Sequence, residues 1–195
     1  MALIVQKFGG SSVKDAEHLR NVADIVTGTY KNGNDVVVVV SAQGDTTDDL
    51  IDKAKEINRN PSKREMDQLL TAGEQISASL LAMTIEDLGY PVVSLLGWQA
   101  GFSTSTAYGS ARIKRVNPER IKAELSKRNI VVVTGFQGVN KYDDMTTLGR
   151  GGSERGGHCG FHARRPVPDL YGCGRRLHGR PAQNSGGEEA RRHFL

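Results

Sequence analysis

Residues 36–40 read Val-Val-Val-Val-Val and are followed by the polar string Ser41-Ala42-Gln43-Gly44-Asp45. β-branched residues favour extended backbone, and an uninterrupted apolar run of this length is typical of a strand buried on both faces. Such strands occur in parallel sheets that are covered by helices. The valine run therefore predicts an inner strand of a mainly parallel sheet with a helical layer on each side.

Strand and helix signals alternate on both sides of the valine run. Toward the N-terminus, Leu3–Lys7 is a short apolar strand, and helical spacing of apolar residues predicts a helix over Asp15–Tyr30. Toward the C-terminus, the same rules predict helices over Asp45–Ile57, Ser62–Leu88 and Asn117–Lys127, and strands over Pro91–Leu96, Ile130–Thr134 and Phe136–Val139. This alternation indicates an α/β protein with a layered α/β/α arrangement.

The chain changes character after Ser153. Residues 1–153 hold 18 basic and 18 acidic residues, whereas residues 154–195 hold 8 arginines against 4 acidic residues and therefore carry the whole net charge of +4. The second segment has no apolar periodicity, and its glycines, arginines and prolines cannot bury enough apolar surface to order a chain. We expect a folded part over residues 1–153 and an aberrant Arg/Gly-rich tail, disordered, over residues 154–195.

Composition also limits the class of protein. No apolar run approaches the roughly 20 residues that cross a bilayer, and the start MALIVQKFGG lacks the basic region of a signal peptide, so we expect a cytoplasmic protein without membrane contact. Cys159 and Cys173, with His158 and His162 nearby, lack the spacing of a zinc knuckle, so no metal site is expected. The tail arginines lack interleaved aromatic residues, which argues against specific nucleic-acid binding.

Lys7-Phe8-Gly9-Gly10-Ser11 is the most informative motif. Its lysine ends a strand, its glycines allow backbone N–H groups to approach a phosphate, and the helix predicted from Asp15 adds a positive N-terminal end. The motif is neither a P-loop nor the dinucleotide fingerprint. Taken alone, an ordinary glycine turn with a surface lysine explains it about as well.

The end of the valine strand and the long helix supply the next candidates. Ser41 and Thr47 belong to a hydroxyl-rich loop at a strand end, where open α/β sheets bind ligands, and helix capping by Thr46 or Thr47 is the alternative. Glu74 follows Gly73 inside a helical pattern, where a glycine costs about 1 kcal/mol and suggests close packing or a close ligand. Glu74 could meet an ammonium group, and a solvated helix glutamate is the alternative.

A second glycine-rich string, Gly149-Arg150-Gly151-Gly152-Ser153, lies at the end of the folded part. Arginine presents a planar fork that matches a carboxylate with two hydrogen bonds. A solvated loop arginine is the alternative, although the three glycines clear space around this guanidinium.

Together, these motifs resemble the aspartate kinases of the amino-acid kinase superfamily. The similar strings are KFGGSSV at 7–13, SAQGDTTDDL at 41–50, LLTAGEQIS at 69–77 and TTLGRGGS at 146–153. Gln43 departs from the pattern, because the family usually has methionine there. The resemblance covers residues 1–153 and implies an amino-acid-kinase-like α/β/α fold, incomplete because the C-terminal nucleotide-binding part is missing.

The resemblance implies ATP-dependent phosphorylation of the β-carboxylate of L-aspartate to 4-phospho-L-aspartate, the first step of lysine, threonine and methionine biosynthesis. It implies that Lys7 is catalytic and, with Gly9, Gly10 and Ser11, binds the phosphates of ATP in company with Mg²⁺. The residues implied to bind aspartate are Ser41, Thr47, Glu74, Arg150, Gly151, Gly152 and Ser153.

The tail differs from the family in its amino-acid sequence, but it can be related to the family through a shifted reading frame. After Ser153 the family has an aspartate and later a segment similar to DLCQIYTDVDGVYTADP, whereas this chain has Glu154 and no such segment. Codons for residues 165–181 can be chosen, at degenerate positions only, so that reading one nucleotide later gives this whole segment. We infer that the tail is an aspartate kinase gene read out of frame from near Ser153. This predicts a truncated, inactive chain without the family's C-terminal regulatory domains.

Two alternatives remain open from the sequence. Another amino-acid-kinase-family enzyme, acting on a carboxylate or carbamate, shares the lysine–glycine opening but not the combination of LLTAGEQ with GRGGS. A non-enzymatic protein could instead bind RNA or a membrane surface through its basic tail, but an out-of-frame tail was never selected for binding. Members of the family oligomerise, which leaves the state of this chain open.

Overall fold

A computed structural model describes residues 2–149, so the predictions for Arg150–Ser153 and for residues 154–195 lie outside the described residues. In chain order the elements are β1 (Leu3–Phe8), α1 (Ala16–Lys31), β2 (Asp35–Val40), α2 (Thr46–Ile57), α3 (Lys63–Asp87), β3 (Val92–Leu95), β4 (Phe102–Thr104), β5 (Ile113–Val116), α4 (Glu119–Ser126), β6 (Ile130–Thr134), β7 (Gln137–Val139) and β8 (Met145–Thr147). Every helix predicted within this range is confirmed, with ends shifted by at most two residues.

The central sheet is parallel throughout and runs in the order β1-β2-β6-β3. The valine run occupies β2 between two neighbours, as predicted. Val36, Val38 and Val40 face one side, where they pack with apolar residues of α1 and α3. Val37 faces the other side and packs with Ile121 of α4. Each buried valine stabilises the fold by about 1.5–3 kcal/mol relative to an exposed one, so this strand contributes strongly to the stability of the core.

The register of the sheet brings the strand ends to one edge. Lys7 of β1 pairs with Val39 of β2, and Val40 pairs with Thr134 of β6. The loops that follow β1, β2 and β6 therefore leave the sheet side by side, at the edge where open parallel sheets bind ligands.

Two of the helices begin at side chains that accept backbone N–H groups. Asp15 caps α1 by accepting the N–H of His18, and Ser62 caps α3 by accepting the N–H of Glu65. Helix α3 is 25 residues long and buries one face, which includes Leu81 and Ile85. None of the helices in residues 2–149 is long and apolar enough to span a membrane.

A second, mixed sheet has the order β5-β4-β7-β8. Only β7 was predicted from the sequence, because the other three strands are three or four residues long and carry polar pairs instead of an apolar pattern. The chain enters this sheet from β6 through Gly135 and Phe136, and Phe136 has a φ of 62°. A side chain in this left-handed region costs roughly 1 kcal/mol or more.

Candidate active site at the carboxyl edge of the sheet

The end of β1 and the loop after it combine an exposed lysine with backbone N–H groups that have no partner in the described residues. Lys7 is exposed, and the space where Gly9 would carry a Cβ is open to at least 4 Å. In the single turn Gly10–Ser12, no hydrogen bond within residues 2–149 uses the N–H groups of Gly10 and Ser11. A positive side chain beside free N–H groups is a suitable environment for an anion.

Gly10 also has a packing role. A Cβ at this position would lie 2.6 Å from the carbonyl oxygen of Ala42, and the Gly44 N–H donates to the Gly10 carbonyl at 3.1 Å. Only glycine therefore lets the loop after β1 touch the loop after β2. The Gln43 amide donates to the Val13 carbonyl at 2.7 Å and ties the same two loops together.

The loop after β2 places hydroxyl groups at the sheet edge. Ser41 and Thr47 are both half-buried. Interpreting Thr46 or Thr47 as a helix cap is wrong, because Asp45 occupies the cap position and no side chain accepts a hydrogen bond there. The Thr46 and Thr47 hydroxyls lie within the first turn of α2.

Helix α3 brings Glu74 against this loop. A Cβ on Gly73 would lie 2.9 Å from the Cβ of Ala42, so the glycine permits the close approach that the sequence suggested. Glu74 is 3 % exposed, and its Oε1 accepts the Ala42 N–H at 3.3 Å. The alternative of a solvated helix glutamate is therefore wrong.

The two oxygens of Glu74 differ in their partners. Glu74 Oε2 is buried and has no hydrogen-bond partner among residues 2–149. Burial raises the pKa of the Glu74 carboxyl, and the hydrogen bond from Ala42 only partly opposes this rise. A buried acceptor without a partner costs about 1–3 kcal/mol, so a cationic donor at this position would gain both a hydrogen bond and an ion pair.

Further buried polar atoms without partners in the described range belong to residues that the motifs did not single out as binding groups. These are Gln6 Oε1 in β1, Thr134 Oγ1 at the end of β6 and Gln137 Oε1 at the start of β7, and Thr134 and Gln137 are each about 2 % exposed. Gln137 also donates from Nε2 to the Thr71 carbonyl of α3 at 3.0 Å. Its place after Thr134-Gly135-Phe136, at a strand end, is the sequence signal that could have identified it.

The structure thus places Gly10 and Ser41 in the adjoining loops after β1 and β2, Thr47 in the first turn of α2, Glu74 of α3 against the second loop, and Lys7 near the end of β1. Their proposed roles as ligand-binding groups remain predictions. The glycine-rich loop of residues 150–153 lies outside the described residues, whereas Leu148 and Gly149, which directly precede it, lie within them. The Leu148 N–H donates to the Phe136 carbonyl at 2.8 Å, and the Gly149 N–H donates to the Ala111 carbonyl at 3.1 Å.

The parallel sheet with candidate ligand groups at its carboxyl edge defines an α/β ligand-binding class of protein, and the sequence profile of the amino acid kinase family matches residues 2–156. The chain belongs to that family. It is 56% identical over 154 residues to the aspartokinase of Bacillus sp. (strain MGA3), covering 79% of this chain and 38% of that protein. It is 57% identical over 155 residues to the aspartokinase of Corynebacterium efficiens, covering 79% and 37%. The resemblance to aspartate kinases is confirmed for this part of the chain.

Solved structures give the same fold. The aspartate kinase from Synechocystis superposes with a TM-score of 0.64 at 42% identity, over 78% of this chain and 25% of that one. The E. coli aspartokinase III in complex with aspartate and ADP has a TM-score of 0.63 at 23% identity, over 78% and 44%, which shows the fold alone. The chain spans about two fifths of the length of the curated relatives it matches.

Proposed function

We propose that the chain is the N-terminal part of an aspartate kinase, which transfers the γ-phosphoryl group of ATP to the β-carboxylate of L-aspartate in the cytoplasm. This would be the first step of lysine, threonine and methionine biosynthesis. The observation that carries the proposal is Glu74, a buried carboxylate with one oxygen lacking a partner among residues 2–149. The amino acid ammonium group supplies the donor and the charge that this oxygen lacks.

The acceptor side of the site is made of α3 and the loop after β2. Glu74 holds the ammonium group, and the Ser41 and Thr47 hydroxyls donate to a carboxylate of the same ligand. Arg150 binds a carboxylate with its planar fork, and Gly151, Gly152 and Ser153 surround it. Fixing the amino acid at both ends directs its β-carboxylate toward the incoming phosphoryl group, and this alignment supplies much of the rate enhancement in phosphoryl transfer.

The phosphate side is made of the loop after β1. The N–H groups of Gly10 and Ser11, which have no partner among residues 2–149, and the open space at Gly9 fit the oxygens of a polyphosphate. Lys7 stabilises the negative charge that spreads over the transferring phosphoryl oxygens. Mg²⁺ accompanies the nucleotide and, when bound, neutralises charge on its phosphates. The residues described here contain no group of three His, Cys, Asp or Glu side chains that could hold a metal ion by themselves.

The domain boundary and the tail are part of the same proposal. The family profile ends at residue 156, close to Ser153, which supports a kinase part over residues 1–153 and an out-of-frame segment over residues 154–195. In this proposal, residues 154–195 stand where the family has residues that bind the nucleotide, so we expect the 195-residue chain to have little kinase activity.

A coupled ADP-release assay tests this function. The gene is restored to frame after Ser153, and turnover is measured with ATP, Mg²⁺ and either L-aspartate, D-aspartate, L-glutamate or carbamate. We expect turnover with L-aspartate and little with the other acceptors. Preferred turnover of L-glutamate or carbamate would replace the proposal with the related-kinase alternative.

A further inference from the structure

Three side-chain oxygens beside the middle of α3 are buried and have no hydrogen-bond partner among residues 2–149. They are Glu74 Oε2, Thr134 Oγ1 and Gln137 Oε1, on residues that are 3 %, 2 % and 2 % exposed. Side chains this deeply buried nearly always have their polar atoms paired. Each of these oxygens therefore requires a partner that the described residues do not supply.

The contact of Gln137 with α3 fixes which end of its amide group is left without a partner. Its Nε2 donates to the Thr71 carbonyl at 3.0 Å. The amide cannot turn over without setting two oxygens against each other, so Oε1 remains an acceptor. Gly97, in the loop after β3, packs against the same side chain, since a Cβ there would lie 3.1 Å from the Gln137 Cγ. The orientation of this amide is therefore set by its surroundings before a ligand binds.

Glu74 lies on the same side of α3 as this contact. Thr71 and Glu74 are three residues apart, so they are neighbours on one face of the helix. A helical side chain leans toward the N-terminus, which brings the Glu74 carboxylate back over the turn that holds Thr71. Its Oε1 accepts the Ala42 N–H at 3.3 Å, so the carboxylate also contacts the loop after β2. Gln137 and Glu74 therefore meet at the same turn of α3.

Thr134 faces this helix from the end of β6. Val132 packs with buried residues of α1 and α3, whereas Val133 packs on the α4 side of the sheet. Side chains alternate along a strand, so Thr134 shares the α3 side with Val132. Its partner in the sheet is Val40, which leads directly into the loop that donates to Glu74. The Thr134 hydroxyl thus lies beside the same loop as the carboxylate.

We propose that Gln137 and Thr134 complete, with Glu74, the pocket for the ammonium group of the substrate and make the enzyme select a primary amine. The inference rests on the proposed function, in which Glu74 meets this group. A primary ammonium has three N–H donors and one positive charge, and the pocket offers three acceptor atoms and one negative charge. A water molecule would leave the carboxylate without a counterion, and a divalent cation takes about six or more oxygen ligands.

Gln6 provides a matched control for Gln137. Its Nε2 donates to the Thr29 hydroxyl of α1 at 2.9 Å, and its Oε1 is also buried without a partner in the described range. Gln6 lies within β1 beneath α1, so Gln6→Met makes the same chemical change as Gln137→Met away from α3. For the hydroxyl, Thr134→Val removes the polar atom at nearly constant shape, and Thr134→Ser retains it.

The test compares L-aspartate with N-methyl-L-aspartate, which has two N–H donors and a methyl group in place of the third. The coupled ADP-release assay gives kcat/KM for each acceptor in the frame-restored enzyme and its variants. Wild type, Gln6→Met and Thr134→Ser should prefer L-aspartate about 100-fold or more, because the methyl group leaves a buried acceptor unpaired. Gln137→Met and Thr134→Val should reduce this preference at least about tenfold, mainly through a higher KM for L-aspartate, with the ATP KM unchanged.

The ratio of the two acceptors separates a binding role from a structural one. A merely structural role of Gln137 or Thr134 would lower turnover of both acceptors together, and an unchanged ratio would overturn the proposal for that residue. A ratio that falls equally in Gln6→Met would also overturn it, because the effect would then not belong to the pocket. Wild-type turnover of L-aspartate with unchanged ratios refutes this inference alone, whereas a frame-restored wild type that phosphorylates no amino acid refutes the proposed function as well.

Discussion

The two sides of the candidate site are built in opposite ways. On the proposed phosphate side, Lys7 is exposed and the space at Gly9 is open, so the groups present are backbone donors and one charged side chain at the surface. On the acceptor side, Glu74 is 3 % exposed and Gly73 packs against Ala42. A small zwitterion has few atoms with which to be recognised, so its partner must be desolvated and fixed in advance, whereas a polyphosphate carries enough charge to bind at an open loop.

The largest expected effect concerns the phosphate side as a whole. If residues beyond 153 complete that side in the intact enzyme, the 195-residue chain should turn over at least about 10⁴-fold more slowly than the frame-restored enzyme, because an unaligned reactant loses its effective molarity. The coupled ADP-release assay with saturating aspartate, ATP and Mg²⁺ measures both proteins. Comparable turnover would show that residues 1–153 already contain a complete nucleotide site.

Removing the exposed charge should give the next largest effect. Lys7→Ala in the frame-restored enzyme is expected to lower kcat about 10²- to 10³-fold with little change in the aspartate KM, since the ammonium group acts on charge that develops in the transition state. Lys53→Ala, which removes an exposed lysine from α2, is the control and should behave like wild type. Near-normal kcat in Lys7→Ala would exclude this lysine from catalysis.

Neutralising the buried carboxylate tests the acceptor side. Glu74→Gln in the frame-restored enzyme should raise the aspartate KM about 10- to 100-fold, because the substrate ammonium loses its ionic partner in a desolvated site. Affinity of the wild type should also fall at acid pH, as the carboxyl is protonated at its raised pKa. Glu86→Gln, an exposed change on the same helix, is the control. An unchanged KM in Glu74→Gln would refute the ammonium assignment.

The same substitution should stabilise the ligand-free protein. Because burial raises the pKa of Glu74, the folded state holds this proton at pH values where the unfolded chain has released it, so the carboxyl lowers stability as pH rises through that window. At neutral pH, Glu74→Gln is therefore expected to raise Tm by a few degrees, measured by thermal unfolding of the 195-residue chain. A lower Tm would mean that the charged carboxylate is stabilised by groups other than the ligand.

The smallest effect compares two helix glycines. Gly73→Ala should destabilise the chain by about 1 kcal/mol, because overpacking against Ala42 outweighs the gain in helix propensity. Gly28→Ala on α1 meets no atom within 4 Å and should stabilise the chain by about 0.5–1 kcal/mol. Urea unfolding measures both variants. Stabilisation in both would show that the contact between α3 and the loop after β2 is loose.

The parallel sheet and its helices could be predicted because the sequence patterns that indicate them are local. Five valines indicate one inner strand, and helical spacing of apolar residues indicates each covering helix. The rest of the second sheet could not be predicted, since β4, β5 and β8 are short and polar, and the pairing that joins its two halves, Ser103 of β4 with Val139 of β7, links residues far apart in the sequence. Their strand structure is a consequence of tertiary contacts rather than of propensity.

Around the candidate site as well, the sequence identified some residues and missed others. Lys7, Ser41 and Glu74 were identifiable because each stands beside a glycine or at a strand end. The burial of Asp67 in α3 was not identifiable, since this residue follows Lys63-Arg64-Glu65-Met66, a charged stretch with the composition of a solvated helix face. Only the placement of Thr147 and Gly109 beside α3 distinguishes this buried carboxylate from its exposed neighbours.

The left-handed backbone at Phe136 has a consequence for how this sequence would evolve in the laboratory. Glycine adopts a φ of 62° without steric penalty, so a library screened only for yield of folded protein should drift to glycine or asparagine at this position. A library screened for turnover would retain phenylalanine if the ring itself takes part in the site. Deep sequencing of the two libraries would therefore separate the contribution of the ring from that of the turn, at a residue whose carbonyl also accepts the Leu148 N–H.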